Sequence, residues 1–484
     1  MPAAKPAIAW FTNDLRLNDN AALTAAAAAG PVIPVYTLDE EIDGIRPMGG
    51  ASQWWLEQSL RSLAETLSAK GLRLILRRGR AADVLASLVR ETGAGSVHFS
   101  RGYAPWSPGR EQAVRAAVEA AGATAHRYRG YVLFDPETIR TGADEPYKVY
   151  TPFSRACFAR EPDRPPRPAP TEIAPFDGKV PSDELAAWRL YPGRPDWAKS
   201  FPETWQPGEA GARKKLDRFL AHALDGYRDD RNRPDLEATS RLSPHLHFGE
   251  ISPLTIWFAV RNSMAAANGR SDRGGEHLLK ELLWREFAYH LLHHWPNLAT
   301  EPFRPEFSRF PWARNESGLK LWAKGLTGYP IVDAGMRELW QTGWMHNRVR
   351  MIVASFLVKD LLIPWQEGET WFWDTLVDAD PANNAASWQW VAGCGADAAP
   401  YFRIFNPVLQ GEKFDPEGAY VRRYVPELAR LPAAVIHKPW LASPLVLKEA
   451  GVVLGESYPK PIVEHDRARD AALAAYERIK KSAA

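Results

Sequence analysis

Short runs of apolar residues alternate with longer amphipathic segments over the first 130 residues of the chain. The runs predict five strands: Ala7–Phe11, Val32–Leu38, 72–76, Ser96–Ser100 and Thr124–Tyr128. The segments between them predict helices over 18–29, 51–70, 82–92 and 108–121, each followed by a glycine, where helices commonly end. This alternation of strands and helices is typical of an α/β domain built on a doubly wound parallel sheet.

The pattern changes twice further along the chain. Residues 135–206 lose their periodicity and are rich in proline, which predicts an extended connector. After residue 207 helical patterns dominate to the end. We therefore expect three parts: an α/β domain at 1–134, a connector at 135–206, and a larger all-α domain at 207–484.

Composition excludes several classes of protein. The chain has 484 residues, a formal net charge of +2 and two cysteines. Two thiols cannot hold an iron–sulfur cluster or an all-cysteine zinc site, and a disulfide framework is excluded. The first residues lack the layout of a signal peptide, and no apolar stretch has membrane-spanning length. We expect a cytoplasmic protein, and the mild charge does not decide whether nucleic acid is a partner.

The first turn of the predicted sheet argues against one kind of ligand, whereas a later helix has a face that could line a binding site. Residues 12–20 contain no glycine, which argues against a nicotinamide dinucleotide bound there in the usual way. The helix predicted over 345–362 has one apolar stripe, formed by Val349, Ile352, Val353, Phe356 and Leu357. Its neighbouring face carries Asn347, Arg350, Met351 and Ala354. Such a face could be solvated, but the flanking tryptophans 344 and 365 indicate enclosure, and a buried Arg350 needs an acidic partner.

Two further segments bring polar groups together. In 378–390, Asp378 could pair with Arg350, while Asp380 and Asn384 could hydrogen-bond a ligand. The two aspartates could also hold a metal ion, but no histidine or third carboxylate lies nearby to complete the shell, and we expect no metal. In 238–244, three hydroxyl residues at a predicted helix start would suit an anion such as a diphosphate, but ordinary capping needs one of them, and the sequence leaves both interpretations open.

Together these segments resemble the DNA photolyase and cryptochrome family, most closely its bacterial enzymes for cyclobutane pyrimidine dimers. The matching motifs are TSRLS at 239–243, WREF at 284–287, TGYPIVD at 327–333, GWMHNR at 343–348, NN at 383–384, WQW at 388–390, YFRIFNP at 401–407 and WFTNDLR at 10–16. They occur in order over nearly the whole chain.

The resemblance implies FAD bound in a bent form inside the helical domain. It places the cofactor against Tyr227, Thr239, Ser240, Arg241, Leu242, Ser243, Arg285, Asn347, Arg350, Asp378, Asp380 and Asn384. Asn384 matches the position that faces flavin N5, where plant receptors of the family have Asp and animal clock proteins have Cys. The tryptophans Trp388, Trp365 and Trp312 match the family's electron relay, although three packed core tryptophans would look the same in sequence.

The resemblance also implies a substrate: DNA that carries a cyclobutane pyrimidine dimer. The lesion would contact Glu281, Trp284, Asn347, Arg348, Met351 and Trp390, and backbone phosphates would contact Arg231, Arg348, Arg403 and Lys413. An extruded dimer needs apolar walls and hydrogen bonds to its base edges. The implied mechanism is electron transfer from excited reduced FAD to the dimer, with Glu281 stabilising charge on the split bases.

The second, light-harvesting chromophore of the family is less clearly marked. The Asn-Glu pair that holds folate in one bacterial group would fall at Trp106–Ser107 and is missing. Residues 52–56, SQWWL, resemble the folate-using bacterial branch closest to plant cryptochromes. We therefore expect 5,10-methenyltetrahydrofolate at a different site, with a deazaflavin as the alternative.

Two other functions remain open from the sequence. A cryptochrome-type blue-light receptor would keep FAD and the tryptophans, but Asn384, Met351 and the lack of a long tail oppose it. A dark flavin oxidoreductase has no nicotinamide fingerprint to support it. We expect a monomer with no obligate protein partner.

Overall fold

The computed structural model of the chain describes residues 4–41, 44–191, 193–267, 269–398 and 402–481. Five strands form one parallel sheet in the order β3–β2–β1–β4–β5. Their bounds are β1 Ala7–Phe11, β2 Val32–Leu38, β3 Ile75–Arg78, β4 Ser96–Ser100 and β5 Thr124–Tyr128. Because β1 pairs with β4 on one side and β2 on the other, the strand order reverses between β1 and β4, as in a doubly wound sheet.

The described residues also form twenty-one α-helices. They are α1 Ala21–Ala29, α2 Gly50–Ser68, α3 Ala81–Thr92, α4 Ser107–Ala120, α5 Tyr150–Arg160, α6 Phe201–Thr204, α7 Glu209–His222, α8 Tyr227–Asp230, α9 Ser243–His247, α10 Pro253–Ala266, α11 Asp272–His294, α12 Glu316–Ala323, α13 Pro330–Thr342, α14 Asn347–Ser355, α15 Trp365–Thr375, α16 Pro381–Ala392, α17 Pro407–Phe414, α18 Ala419–Tyr424, α19 Ala433–Ile436, α20 Pro444–Ala450 and α21 His465–Lys481. A π-helix, Phe356–Asp360, follows α14 directly. The fold class predicted from the sequence, an α/β sheet followed by a helical part, is confirmed.

Four of the five strands have the predicted bounds, and β3 is the exception. The prediction of 72–76 was wrong by about three residues, because Leu72 still closes the end of α2 through a hydrogen bond from its N–H to the Leu67 carbonyl (3.0 Å). The strand then continues through Arg77 and Arg78, which an apolar pattern does not include. Since β3 is an edge strand, its end lies at the surface and tolerates arginine.

The predicted extended connector contains a helix. Helix α5 lies within 135–206 and buries Phe153 and Cys157 almost completely. Its apolar positions are few and Pro152 stands in its first turn, so periodicity gave no helical signal. The bounds predicted for the three parts of the chain remain a prediction.

Spatial clustering divides the chain into two compact units made of interleaved segments. The first unit comprises Met1–Trp197, Trp205–Asp225 and Ser240–Pro296, and the second comprises Ala198–Thr204, Gly226–Thr239 and Asn297–Ala484. The core of the sheet lies in the first unit, with Trp10, Val35 and Val97 almost fully buried. No described helix has the length and apolarity needed to cross a bilayer.

The second unit has its own core, built around the stripe of α14. All five predicted stripe residues of this helix and the following π-helix are at most 1% exposed, which confirms the predicted core face. Helix α13 packs closely against α14 because Gly335 has no side chain: a Cβ there would lie 2.4 Å from Val349 Cγ1. The short helix α6 joins the same unit, with the Phe201 ring against Gly343 at the end of α13.

Candidate active site

The polar face of α14 begins at a helix start that is held by buried groups. His346 caps the helix, its Nδ1 accepting a hydrogen bond from the Arg348 N–H (3.2 Å). The His346 N–H in turn donates to the buried Glu338 carboxylate (3.1 Å), which also accepts from the Tyr420 hydroxyl (2.6 Å). The helix therefore starts at Asn347 rather than at residue 345 as predicted, and its first turn has a fixed position.

The Arg350 side chain extends from the polar face of α14 and forms an ion pair with Asp378, as the sequence predicted. Arg350 Nη2 lies 2.9 Å from Asp378 Oδ2, and Arg350 Nε donates to the Met345 carbonyl (2.7 Å). The aspartate side chain is 3% exposed and the arginine side chain 24%. The guanidinium also lies over the Trp344 ring, 5.7 Å from its centroid. Because the pair is only partly enclosed on the arginine side, Arg350 still has accessible donors.

Asp380 and Asn384 occupy the first turns of α16. Asp380 caps the helix, its Oδ1 accepting from the N–H groups of Ala382 (3.0 Å) and Asn383 (2.8 Å) and from the Asn383 amide (2.8 Å). The Asn384 amide nitrogen donates both to the main-chain carbonyl of Glu369 (3.0 Å) and to its carboxylate (2.8 Å). Glu369 is 3% exposed and comes from α15. The sequence gave no reason to select it.

Two of the three predicted relay tryptophans are buried and the third is partly exposed. Trp388 and Trp365 are 2% and 1% exposed, whereas Trp312 is partly exposed. Trp388 packs directly on the backbone of α15, since a Cβ at Gly368 would lie 2.1 Å from its ring, one turn after Trp365. The N–H of Ala313 donates to the Leu362 carbonyl (2.7 Å), which holds the chain at Trp312 near the start of α15. Trp388 thus packs on α15, and the chain at Trp312 adjoins the segment that leads into this helix.

The four predicted phosphate-binding cations also gather in the second unit. Burial first, and then the charges of Arg231 and Arg403, lower the pKa of Arg348. Arg348 is oriented by Asn232, whose Oδ1 accepts from Nη2 (2.7 Å) and Nε (3.2 Å), and it lies over the Phe414 ring. Lys413 lies over the same ring, 5.3 Å from its centroid. The cluster therefore concentrates positive charge beside α14, and the sequence did not single out Asn232 or Phe414.

In the first unit, α11 presents the predicted Glu281, Trp284 and Arg285. Trp284 stacks on Tyr150 of α5, with 3.7 Å between centroids and 6° between planes, and Glu281 lies 3.8 Å from His277. Arg285 Nη1 donates to the Tyr131 carbonyl (2.9 Å). Tyr150 was not predicted, because nothing in the proline-rich segment marks it as a stacking partner.

Next to Arg285, Glu286 is fully buried. It accepts from the N–H groups of Leu133 (2.7 Å) and Phe134 (3.1 Å). Burial nevertheless raises the pKa of this carboxyl to about 7. The carboxylate therefore anchors the chain at 133–134 against α11, and its charge is sensitive to pH near neutrality.

The hydroxyl-rich segment has two observations that favour a ligand over capping. The capping position before helix α9 is occupied by Leu242, whose side chain cannot accept a hydrogen bond. None of the three hydroxyl residues, 239, 240 and 243, therefore stands at the capping position. Arg241 adopts a left-handed backbone with φ +50°, uncommon for a residue with a side chain. Thr239, Ser240 and Arg241 are partly exposed and Ser243 is exposed. Tyr227, assigned to the same cofactor, is buried in the second unit below Arg231.

These residues fit a flavin nucleotide in their chemistry. In the second unit, an amide with one orientation and a partly accessible arginine paired with a buried acid suit a ring system with polar edges. Separately, the hydroxyls beside the left-handed backbone of Arg241 suit a diphosphate. Among the described residues no group of three or more His, Cys, Asp or Glu side chains could hold a metal ion. Tyr401, which opens one of the resemblance motifs, lies outside the described residues.

Comparison with known proteins agrees with this chemistry. Residues 7–171 match the family described as DNA photolyase, and residues 278–478 match the FAD binding domain of DNA photolyase. A deoxyribodipyrimidine photo-lyase from Agrobacterium fabrum is 51% identical over 99% of this chain and 98% of its own length. Cryptochrome-1 from Arabidopsis thaliana is 38% identical over 96% of this chain and 69% of its own.

A solved structure shows the same relationship in three dimensions. The crystal structure of a bacterial class III photolyase from Agrobacterium tumefaciens superposes with a TM-score of 0.95 at 49% identity, covering 99% of both chains. The chain belongs to the DNA photolyase family. It is a flavoprotein, and the cofactor of its helical part is FAD.

Proposed function

We propose that the protein is a deoxyribodipyrimidine photo-lyase that uses light to repair cyclobutane pyrimidine dimers in DNA. The observation that carries this proposal is the composition of α14. One helix bears Arg350, paired with the buried Asp378, and Arg348, part of a cationic cluster, with Met351 directly after Arg350 in sequence. A helix of this kind suits a cofactor with polar edges on one side and an anionic polymer on the other.

The cofactor supplies an excited-state electron when reduced FAD is bound, and the protein positions it. Arg350 and Asp378 would orient the ring system, Asp380 the ribityl side, and Asn384 would face N5. Residues 240–243 and Arg285 in the first unit, and Thr239 in the second, would contact the diphosphate and the neighbouring part of FAD. An amide at Asn384 hydrogen-bonds without adding charge, which favours repair over signalling.

Electrons for reduction of the oxidised cofactor would come through Trp388, Trp365 and Trp312. The partial exposure of Trp312 supports this role, since an oxidised indole there can be reduced from solution. Direct packing of Trp388 on α15 supports it further.

The lesion-binding residues are proposed separately for each unit. In the second unit Asn347, Met351 and Trp390 are exposed or partly exposed and would contact the extruded bases. In the first unit Trp284, one face of which is covered by Tyr150, would offer its other side as an apolar wall, and Glu281 would steady charge on the split bases. Glu281→Ala should then lower the repair yield, whereas Glu276→Ala, an exposed acid on the same helix, should not. A near-normal yield in Glu281→Ala would remove this role.

A second chromophore is also part of the proposal. A cavity of about 400 Å³ follows the carboxyl ends of β2, β3 and β4, where doubly wound sheets bind ligands, and its lining includes Asp39, Arg80, Trp106 and Arg110. Arg110 Nε has no hydrogen-bond partner among the described residues. The cavity suits the alternative, a deazaflavin, while the motif at 52–56 favours methenyltetrahydrofolate even though Trp54 and Trp55 are core residues. Acid release and absorption spectroscopy of the bound chromophore distinguish the two.

The activity test uses purified protein loaded with reduced FAD and an oligonucleotide that contains one thymine dimer. Blue light should restore the thymines, measured by chromatography, and the dark control should not. The likeness to cryptochrome-1 makes a blue-light receptor the second candidate. Photoreduction of FAD without restored thymines would leave that candidate in place and refute repair.

A further inference from the structure

We propose that Glu369 is a positioning residue that fixes the Asn384 side-chain amide in one orientation and thereby favours the reduced state of FAD. The inference rests on the proposed function, because it takes Asn384 to face flavin N5. Everything else comes from contacts within the second unit.

The orientation follows from the chemistry of the two groups. Both oxygens of Glu369 that meet Asn384, the main-chain carbonyl at 3.0 Å and the carboxylate at 2.8 Å, accept hydrogen bonds. Only the NH₂ half of the Asn384 amide can donate to them, so both amide hydrogens are engaged. A flipped amide would place its carbonyl oxygen against two other oxygens inside a buried site, where such repulsion is costly.

The remaining half of the amide is an acceptor with no protein donor. No hydrogen bond to Asn384 Oδ1 occurs among the described residues, and Asn384 is 8% exposed. Reduced flavin carries a hydrogen on N5 and can donate to this oxygen, whereas oxidised flavin has a lone pair there and cannot. An amide that cannot rotate therefore discriminates between the two redox states, and a freely rotating amide would bind either.

The packing of α15 on α16 holds the two residues together. Asn384 and Trp388 are one turn apart on α16, and the indole of Trp388 fills the space above Gly368, the neighbour of Glu369. The Asn384 N–H also donates to the Asp380 carbonyl (3.0 Å), so its backbone is fixed from the other side. Glu369 thus cannot withdraw without disturbing this contact.

The test compares Glu369→Gln with Glu369→Ala in the FAD-loaded protein. The two variants have the same net charge and keep the main-chain carbonyl, but only glutamine keeps a side-chain acceptor for the Asn384 amide. We expect the midpoint potential of bound FAD to be lower in Glu369→Ala than in Glu369→Gln, and its reoxidation in air to be about tenfold faster, the factor expected for one hydrogen bond of ordinary strength. Glu367→Gln, an exposed position on the same helix, serves as the charge control and should match the unmodified protein.

Two further measurements make the result decisive. In an Asn384→Ala background, the difference between the two Glu369 variants should vanish, because Glu369 acts through the amide. Equal potentials in Glu369→Ala and Glu369→Gln, or a higher one in Glu369→Ala, would overturn the inference while leaving repair intact. An Asn384→Ala protein whose FAD potential is unchanged would instead refute the proposed flavin position itself.

Discussion

A single methyl group added at Gly368 tests how closely Trp388 packs against helix α15. In Gly368→Ala the added Cβ would lie 2.1 Å from Trp388 Cη2, 2.5 Å from Trp388 Cζ3 and 2.6 Å from Leu357 Cδ2. Ordinary carbon contacts need about 3.5 Å, so the indole must shift by roughly 1.5 Å or α15 must move away. Both the ring and the helix are buried in the core of the second unit.

The expected cost is the difference between two effects. Overpacking of a rigid ring in a dense core costs up to about 3 kcal/mol. Replacing glycine by alanine inside a helix returns about 1 kcal/mol. The net loss in free energy of unfolding should therefore be about 2 kcal/mol. Light-driven reduction of oxidised FAD should slow as well, since Trp388 is displaced.

Denaturant unfolding of four proteins measures this: the unmodified chain, Gly368→Ala, Trp388→Phe and the double variant. Phenylalanine lacks the ring atoms that the new methyl would meet, so the double variant should recover most of the loss, with a coupling energy of about 2 kcal/mol. Gly109→Ala in α4, where a Cβ would meet nothing within 4 Å, is the control for the substitution itself. Equal stability of Gly368→Ala and the unmodified chain, or additive effects in the double variant, would refute the packing argument.

Three other outcomes are expected. Burial lowers the pKa of Lys359 from 10.5 to about 7. Between these pH values the unfolded chain binds more protons than the folded one, so the free energy of unfolding rises with pH. Lys359→Met should abolish that rise in unfolding experiments from pH 7 to 10, and a slope that persists would show that another group causes it. Trp365→Phe should slow the light-driven reduction of oxidised FAD, measured by absorption, without changing repair by pre-reduced protein. The control Trp340→Phe, at a 53% exposed position, should change neither rate. Photoreduction that is unaffected by Trp365→Phe would exclude the relay. Arg403→Gln and Lys413→Gln should each reduce by about one the slope of log binding constant against log salt for DNA, and an unchanged slope would remove that residue from the interface.

The sequence predicted what depends on local pattern. Strand bounds, the stripe of α14 and the pairing of Arg350 with Asp378 followed from periodicity and from the cost of burying an unpaired charge. Helix α5 was missed because few of its residues are apolar. The error at β3 arose because an edge strand may end in arginines.

The partners of the site residues could not be predicted in this way. Glu369, Asn232 and Tyr150 lie 15, 116 and 134 positions from the residues they orient. Each is an ordinary polar residue within its own segment, and its role arises only when two helices or loops meet. Resemblance to a family supplied the residues that would touch the ligand, and the fold supplied those that hold them.

The interleaving of the two units has a consequence for synthesis on the ribosome. Phe201, and the segment 226–239, emerge more than fifty residues before Asn297, where the main body of the second unit begins. Gly343, the position against which the Phe201 ring finally packs, emerges later still. These early segments remain without their packing partners while residues 240–296 of the first unit are still being synthesised. The nascent protein therefore passes through a stage in which the complete sheet is present and aromatic side chains of the second unit are exposed to solvent. Slower translation just before residue 297 would lengthen that stage.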